Sequence, residues 1–461
     1  MTTAPTSVRS AWSARGWSVY LGWVVITLDG SALNLALPRI TSDLGSLAAG
    51  ASWVVDAYTL PLAALLLLGG SLGDRVGAER LFRVGAIGFA AASSACALSP
   101  SLGVLVVCRA GQGVFAAMLL PMVLALVGKS FEDPGQRSTA VNLMTVFGGA
   151  GMAAGPFLGG LLTDTIGWRA VFWLTAPIAI AAAALVGTAD RLTRQPHTTQ
   201  FDVAGQFFGT AGLVAVVAGL IEAGRSPGAL LTWALLAVGV LLLVGFIVVE
   251  HRARAPMMPL SVFRTVGFPG AVFGGFAFQF GAYGLQFFLA LYVQAAWGTS
   301  ALMGGLLLAP FAIGTVLAGA LVNPHLQQRG SRHMILIGAT TAAVGTLLLL
   351  GATTAAQWWV LMVGEFVIGA GTAVYSTALN STASAALGAR SAGLASGIYN
   401  TSRQVGQSVG IAVLGTLAAF NDLRSGLVVA VVLITACAVA IGATGLRRPV
   451  RALPHSRPPK L

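Results

Sequence analysis

Residues 102–127 read LGVLVVCRAGQGVFAAMLLPMVLALV, a run of apolar and small residues interrupted by one charge, Arg109. Coiled at 1.5 Å per residue, the run is about 39 Å long, enough to cross the ~30 Å hydrocarbon core of a bilayer. A lipid-exposed segment must satisfy its own backbone N–H and C=O groups, so the run reads as a transmembrane helix. Outward from it, a window of about 19 residues finds further apolar stretches on both sides. They lie near 17–38, 52–72, 84–99, 139–162, 171–188, 203–221, 229–249, 268–293, 300–322, 334–353, 357–379, 394–419 and 427–445. Fourteen spans are therefore expected. At about 20 residues each they use about 280 of the 461 residues, leaving about a dozen for each tail or loop. Composition agrees: 56% of the chain is hydrophobic and 9% charged, against roughly a quarter charged in a soluble domain. The 59 Gly suit membrane helices, where small residues let backbones approach. The chain reads as an all-α polytopic membrane protein without a sizeable extramembrane domain.

The charges orient it. With the N-terminus cytoplasmic, that side holds 20 Lys+Arg and 7 acids, the opposite loops 4 of each, and the spans 2 Arg and 3 acids. The excess of basic residues on one side predicts that both termini are cytoplasmic. It also explains the net charge of +12 without nucleic-acid binding. The first 16 residues form a short polar tail, and the apolar run that follows contains Asp29 and lacks a small-residue cleavage site, so it is expected to be an uncleaved first span. Cys96, Cys108 and Cys437 lie in apolar stretches with no paired spacing and read as packing residues. Two lysines against 24 arginines fit a GC-rich bacterial source and hence a bacterial cell membrane.

The chain also resembles itself. LVVCRAGQG (105–113) aligns with LMVGEFVIG (361–369), setting Arg109 opposite Glu365 and Gly113 opposite Gly369. GMAAG (151–155) aligns with GQSVG (406–410) at nearly the same offset. Two consecutive spans with one offset suggest a duplication, in which spans 1–6 and 9–14 are equivalent halves around two inserted spans. The expected units are residues 1–189, an inserted hairpin at 190–265, and 266–461. Repeated halves around a midplane site are the architecture of many secondary transporters.

Several motifs share a source. GSLGDRVG (70–77), with Gly70, Asp74, Arg75 and Gly77, resembles the GxxxDRxG loop signature of the major facilitator superfamily. RAGQG (109–113), with Gln112 and Gly113, resembles its RxxQG motif, and GMAAGPFLGG (151–160) its GxxxGPxxGG antiporter motif. LDGSALNLALP (28–38), WVVDAYTL (53–60), PMMPLSVFR (256–264) and NTSRQVGQSVGIAVLG (400–415) resemble the fourteen-span drug/proton antiporter branch, particularly actinomycete exporters of the methylenomycin-resistance type. The resemblance covers nearly the whole chain and implies the major facilitator fold. In one departure, Ala78 and Glu79 stand where the loop signature usually carries two basic residues.

Charged side chains at bilayer depth are costly unless paired or wetted, so each is a functional candidate. Asp29, Arg109, Glu365 and Arg403 fall roughly 10–18 Å into their spans at 1.5 Å per residue. Asp56 lies nearer a span end and reads either as functional or as part of a solvated helix terminus. Low dielectric favours a neutral carboxylate and a nearby guanidinium favours a charged one. A carboxylate whose Arg partner comes and goes can therefore take up and release a proton, and Asp29 with Arg109 is the expected pair. Glu365 and Arg403 read equally well as a static pair between spans 12 and 13. Gly151, Gly155, Gly159 and Gly160 with Pro156 form a small-residue face, placed by the resemblance at the interface of the halves. For substrate contact the polar and aromatic intramembrane residues are Asn34, Tyr58, Gln279, Tyr283, Gln286 and Asn400, each of which is also a packing position.

The expected function is proton-coupled export of lipophilic or amphipathic drugs by a monomer, its partners being the substrate, protons and lipid. A proton-coupled symporter of a small organic solute shares the fold and carboxylates, and a non-transporting membrane sensor is the alternative from another class. GGSLG (69–73) matches G-x-S-x-G, but no His lies within a span, so an enzyme is not expected. No G-x-x-x-x-G-K-[ST] loop occurs, so the expected energy source is a proton gradient, with no cofactor, metal or ATP.

Overall fold

The computed structural model describes residues 13–45, 48–130, 134–186, 202–253, 256–349, 352, 357–388 and 392–419. Among the described residues thirteen long helices follow one another and there is no strand. They are α1 Ala14–Asp43, α2 Ala48–Val76, α3 Ala78–Ala97, α4 Leu102–Ser130, α5 Pro134–Thr165, α6 Arg169–Leu185, α7 Val203–Arg225, α8 Leu230–Arg252, α9 Phe268–Trp297, α10 Ala301–Leu317, α11 Ser331–Leu349, α12 Trp358–Ala386 and α13 Ala392–Ala419. A π-helical turn, Ala318–Val322, and a short helix, Asn323–Gln327, prolong α10.

The helices coincide with the first thirteen expected spans, but only ten are long and apolar enough to cross a membrane by length and composition. Fourteen spans are thus not confirmed among the described residues. The reason is visible in the exceptions: α6 is short, α3 starts with Glu79, Arg80 and Arg83, and α13 carries Asn400, Arg403, Gln404 and Gln407. The stretch at 427–445 lies outside the described residues, as does Cys437.

Helix α1 packs against α5 and α6, α2 against α4, and α3 against α4 and α6. Eight helices later the same pairs recur as α9 with α13, α10 with α12, and α11 with α12. Glycine makes equivalent contacts in both sets. A Cβ on Gly113 of α4 would overlap the Tyr58 carbonyl of α2, and one on Gly369 of α12 would overlap the Phe311 carbonyl of α10. The two sets meet along α5 with α10 and along α2 with α13. Helix α7 lies over the second seam, burying Val217 and Ile221 against Leu60 of α2 and Ala412 of α13. Its partner α8 packs mainly on α7, and only 11% of its apolar window is buried.

Gly77 breaks the chain between α2 and α3 at φ +99°, a conformation that disfavours residues carrying a Cβ. Asp74 and Arg75 occupy the last turn before it. Glu79, the departure from the usual loop signature, pairs with Arg15 at the start of α1, 3.4 Å away.

Candidate functional site

Asp29 lies in α1 and Arg109 in α4, and the fold brings them together in a buried pocket. Arg109 Nη1 donates to Asp29 Oδ2 at 2.8 Å. Gln112, one turn further along α4, accepts from Arg109 at 2.6 Å and donates to Asp29 Oδ1 at 2.9 Å. The three side chains close a ring, and Arg109 Nε completes its shell on the Val54 carbonyl at 3.1 Å. All three are at most 2% exposed. The Tyr58 ring lies under the guanidinium, 4.4 Å from centroid to Cζ. Tyr58 therefore belongs to the charge cluster, as does Cys96, whose thiol points at Gln112 Oε1 at 3.8 Å. The i, i+3 spacing of Arg109 and Gln112 puts both on one face of α4, and Gly113 lets that face approach α2 closely.

The second set is arranged differently. Glu365 of α12 is fully buried and accepts from Gln286 of α9, while its Oε1 has no hydrogen-bond partner. Arg403 of α13 donates instead to Gln279 Oε1 through Nε at 3.2 Å and Nη2 at 3.1 Å, and to Asn400 Oδ1 at 3.4 Å. The static Glu365–Arg403 pair, one of the two readings the sequence left open, is not among the ion pairs of the described residues. Gln286 and Gln279 are seven residues apart on α9, and each engages a different charged partner. Tyr283, between them, donates its hydroxyl to Met152 Sδ of α5 at 3.3 Å, crossing between the two helix sets. Asn34 is half-buried on α1.

Asp56 is not at a solvated helix end. It is 0% exposed, accepts from Thr59 at 3.2 Å through Oδ1, and leaves Oδ2 without a partner. Thr59 in turn meets Ser408 of α13 at 2.6 Å, so Asp56 borders the α2–α13 seam. Spacing along α2 gave its distance from the terminus but not the presence of α13 beside it.

The small-residue face of α5 has two separate partners. A Cβ on Gly155 would overlap Ser31 Oγ, one on Gly159 the Ala32 carbonyl, and one on Gly151 would lie 2.6 Å from Thr27 Oγ1, all in α1. Gly160 faces the Ala301 carbonyl of α10, and Gly305 of α10 faces the Pro156 carbonyl. Of the four glycines and the proline of this face, Pro156 and Gly160 are the ones that meet the second helix set. Sequence reading missed Asp164, one turn beyond Gly160: it accepts from the backbone N–H groups of Ala301 and Leu302 at 3.3 and 2.8 Å, capping α10 across the same seam. Its place one turn past the GPFLGG motif was the available signal.

Among the described residues no group of three or more His, Cys, Asp or Glu could hold a metal ion.

The chain is 34% identical over 407 residues to a puromycin resistance protein of Streptomyces alboniger, covering 86% of this chain and 79% of that protein. A methylenomycin A resistance protein of Bacillus subtilis is 32% identical over 424 residues, covering 89% of each chain. A multidrug efflux pump of Mycolicibacterium smegmatis is 32% identical, covering 86% of this chain and 78% of the pump. In fold the chain is similar to a peptide transporter solved with alafosfalin, at TM-score 0.66 and 18% identity over 96% of this chain and 99% of that one. A human organic anion transporter superposes with TM-score 0.65 at 14% identity, over 95% of this chain and 100% of that one. The pump and the two solved neighbours are transport proteins by name, not enzymes. The model of the Major Facilitator Superfamily matches residues 19–266 and 271–461, so this multi-pass chain belongs to that superfamily.

Proposed function

We propose that the chain exports lipophilic or amphipathic drugs across a bacterial cell membrane by alternating access, driven by a proton gradient. The observation that carries the reading is the closed ring of Asp29, Arg109 and Gln112, a buried carboxylate whose charge depends on one guanidinium from another helix. A shift of α4 against α1 separates the pair. Asp29 then sits in low dielectric without its cation and takes a proton, which it yields when Arg109 returns. Glu365 and Asp56, buried carboxylates each with one unpartnered oxygen, are secondary proton sites. The multidrug efflux pump among the relatives supports the direction of transport, and the two antibiotic resistance proteins support the class of cargo.

The reading includes a monomer with fourteen spans and both termini cytoplasmic, and units 1–189, 190–265 and 266–461. The recurrence of helix pairs after eight helices supports the two repeated units. Asp74, Arg75 and the rest of the Gly70–Gly77 stretch, the last turns of α2, act at its cytoplasmic end, and the Pro156–Gly160 contact holds the opposite end of the seam closed.

Inverted vesicles test it. Wild-type protein should accumulate a drug or dye from a panel when a proton gradient is imposed, and a protonophore should abolish accumulation. Asp29→Asn should still exchange drug down its own gradient but lose proton-driven accumulation at least about tenfold, a change of about 1.4 kcal/mol in driving free energy. Accumulation that needs ATP, or full accumulation by Asp29→Asn, overturns the assignment.

A further inference from the structure

Arg403 is a cation without an anion. It lies near the middle of α13, and none of the three ion pairs among the described residues includes it. Its acceptors are two side-chain amides, Gln279 Oε1 and Asn400 Oδ1. Amide oxygens satisfy hydrogen bonds but leave the unit charge uncompensated. Three of the five guanidinium N–H groups are used in this way, and two remain.

The surroundings are built to hold the group in place. Gln407 accepts from Gln279 Nε2 at 3.0 Å, which fixes the Gln279 amide with its oxygen toward Arg403. Gln279 and Gln407 are both buried, at 3% and 8% exposure. The rings of Phe278 and Tyr399 lie 5.5 and 5.9 Å from the guanidinium. Arg403 itself is only half-buried, unlike the two glutamines. A charge held at membrane depth needs a partner or a wetted cavity, and here the partner is missing.

The guanidinium also neighbours aromatic side chains. Tyr283 is four residues from Gln279 on the same face of α9 and reaches Met152 of the other helix set. A ligand entering between the sets therefore meets flat apolar rings and one cation with free, preorganised donors. We infer that Arg403, positioned by Gln279 and Asn400, is the anchor for the anionic group of an aromatic organic acid, such as a carboxylate or an ionised phenol. The guanidinium supplies charge-assisted hydrogen bonds, the strongest kind available to a small anion. The inference deepens the exporter reading by naming a class of cargo, and it rests on that reading for the step of transport.

Three probes with one aromatic body separate the possibilities: pyrenebutyrate, the neutral pyrenebutanol, and pyrenebutyl trimethylammonium. Binding to the purified full chain is read by fluorescence anisotropy, and export from cells by loss of pyrene signal. Wild-type protein should bind the carboxylate about tenfold more tightly than the alcohol, the ratio expected of one charge-assisted hydrogen bond. In Arg403→Gln that ratio should fall to about one. In Arg403→Lys, which keeps the charge but not the planar fork, it should lie between. A wild-type ratio near one, or a ratio that survives in Arg403→Gln, overturns the inference. Where Arg403→Gln fails to fold, Arg403→Lys carries the assignment: a ratio unchanged from wild type in that variant overturns it. Export of the cation or alcohol with no carboxylate preference sinks the anion site and leaves the exporter reading standing. A carboxylate preference in binding with no export of any probe sinks the exporter reading and leaves the site.

Discussion

Equivalent helices of the two sets handle buried charge in opposite ways. In the first set, Arg109 and Asp29 neutralise each other within one ring closed by Gln112. In the second, Glu365 occupies the position aligned with Arg109, yet it is met by the Gln286 amide, and Arg403 is held by amides as well. The same helix packing thus supports one self-contained charge pair and two charges left for something else to satisfy. A closed pair suits a proton switch, because its two states differ by one contact. An open cation suits a ligand, because its counter-ion has to come from outside.

The largest expected effect tests that contrast directly. Arg109→Gln strands a buried Asp29 and should cost about 3–5 kcal/mol, the usual penalty for removing one partner of a buried pair. Arg403→Gln strands no carboxylate and should cost less, about 1.5–3 kcal/mol, the range for hydrogen bonds to a charged group. Thermal unfolding of both variants in detergent compares them, and equal losses would erase the distinction. Pairing Arg109→Gln with Asp29→Asn should recover much of the loss, since groups in one network are not additive.

The two partners of α5 predict an intermediate effect. Gly155 and Gly160 are five residues apart in one motif but face α1 and α10 respectively. Gly155→Leu should disturb packing within the first helix set and reduce the yield of folded protein. Gly160→Leu should leave yield nearer normal while drug efflux falls, because the contact it blocks is the one between the sets. Yield from immunoblots and efflux normalised to it separate the outcomes; the same phenotype from both would merge the two faces into one.

The smallest effect is expected at Glu365. If Asp29 is the main proton carrier, Glu365→Gln should reduce gradient-driven accumulation by no more than about twofold, since the isosteric amide also removes a desolvated charge. A loss matching that of Asp29→Asn in the same vesicles would move the carrier to α12.

Much of this was legible along the chain. Thirteen expected spans coincide with thirteen helices because an apolar run of sufficient length has one stable backbone solution in lipid. The Asp29–Arg109 contact was foreseen because few charges enter the spans and each needs compensation. For Glu365 and Arg403 the same argument left a static pair as one of two readings, and the two do not pair. Amides can hold a buried charged group without neutralising it, and Gln279 and Gln286, read as substrate contacts or packing positions, bind Arg403 and Glu365.

What the sequence by itself determined is the helical class, the family motifs and the register of side chains on each helix face. A period of 3.6 residues decides which residues share a face, as Arg109 shares one with Gln112 and Gln279 with Tyr283. It does not decide which neighbour that face meets. Only the tertiary structure turned Gly155 toward α1 and Gly160 toward α10, buried Asp56 against α13, and set Asp164 over the start of α10. Those choices depend on how each helix is rotated about its own axis, and that rotation is fixed by the packing of all its neighbours at once.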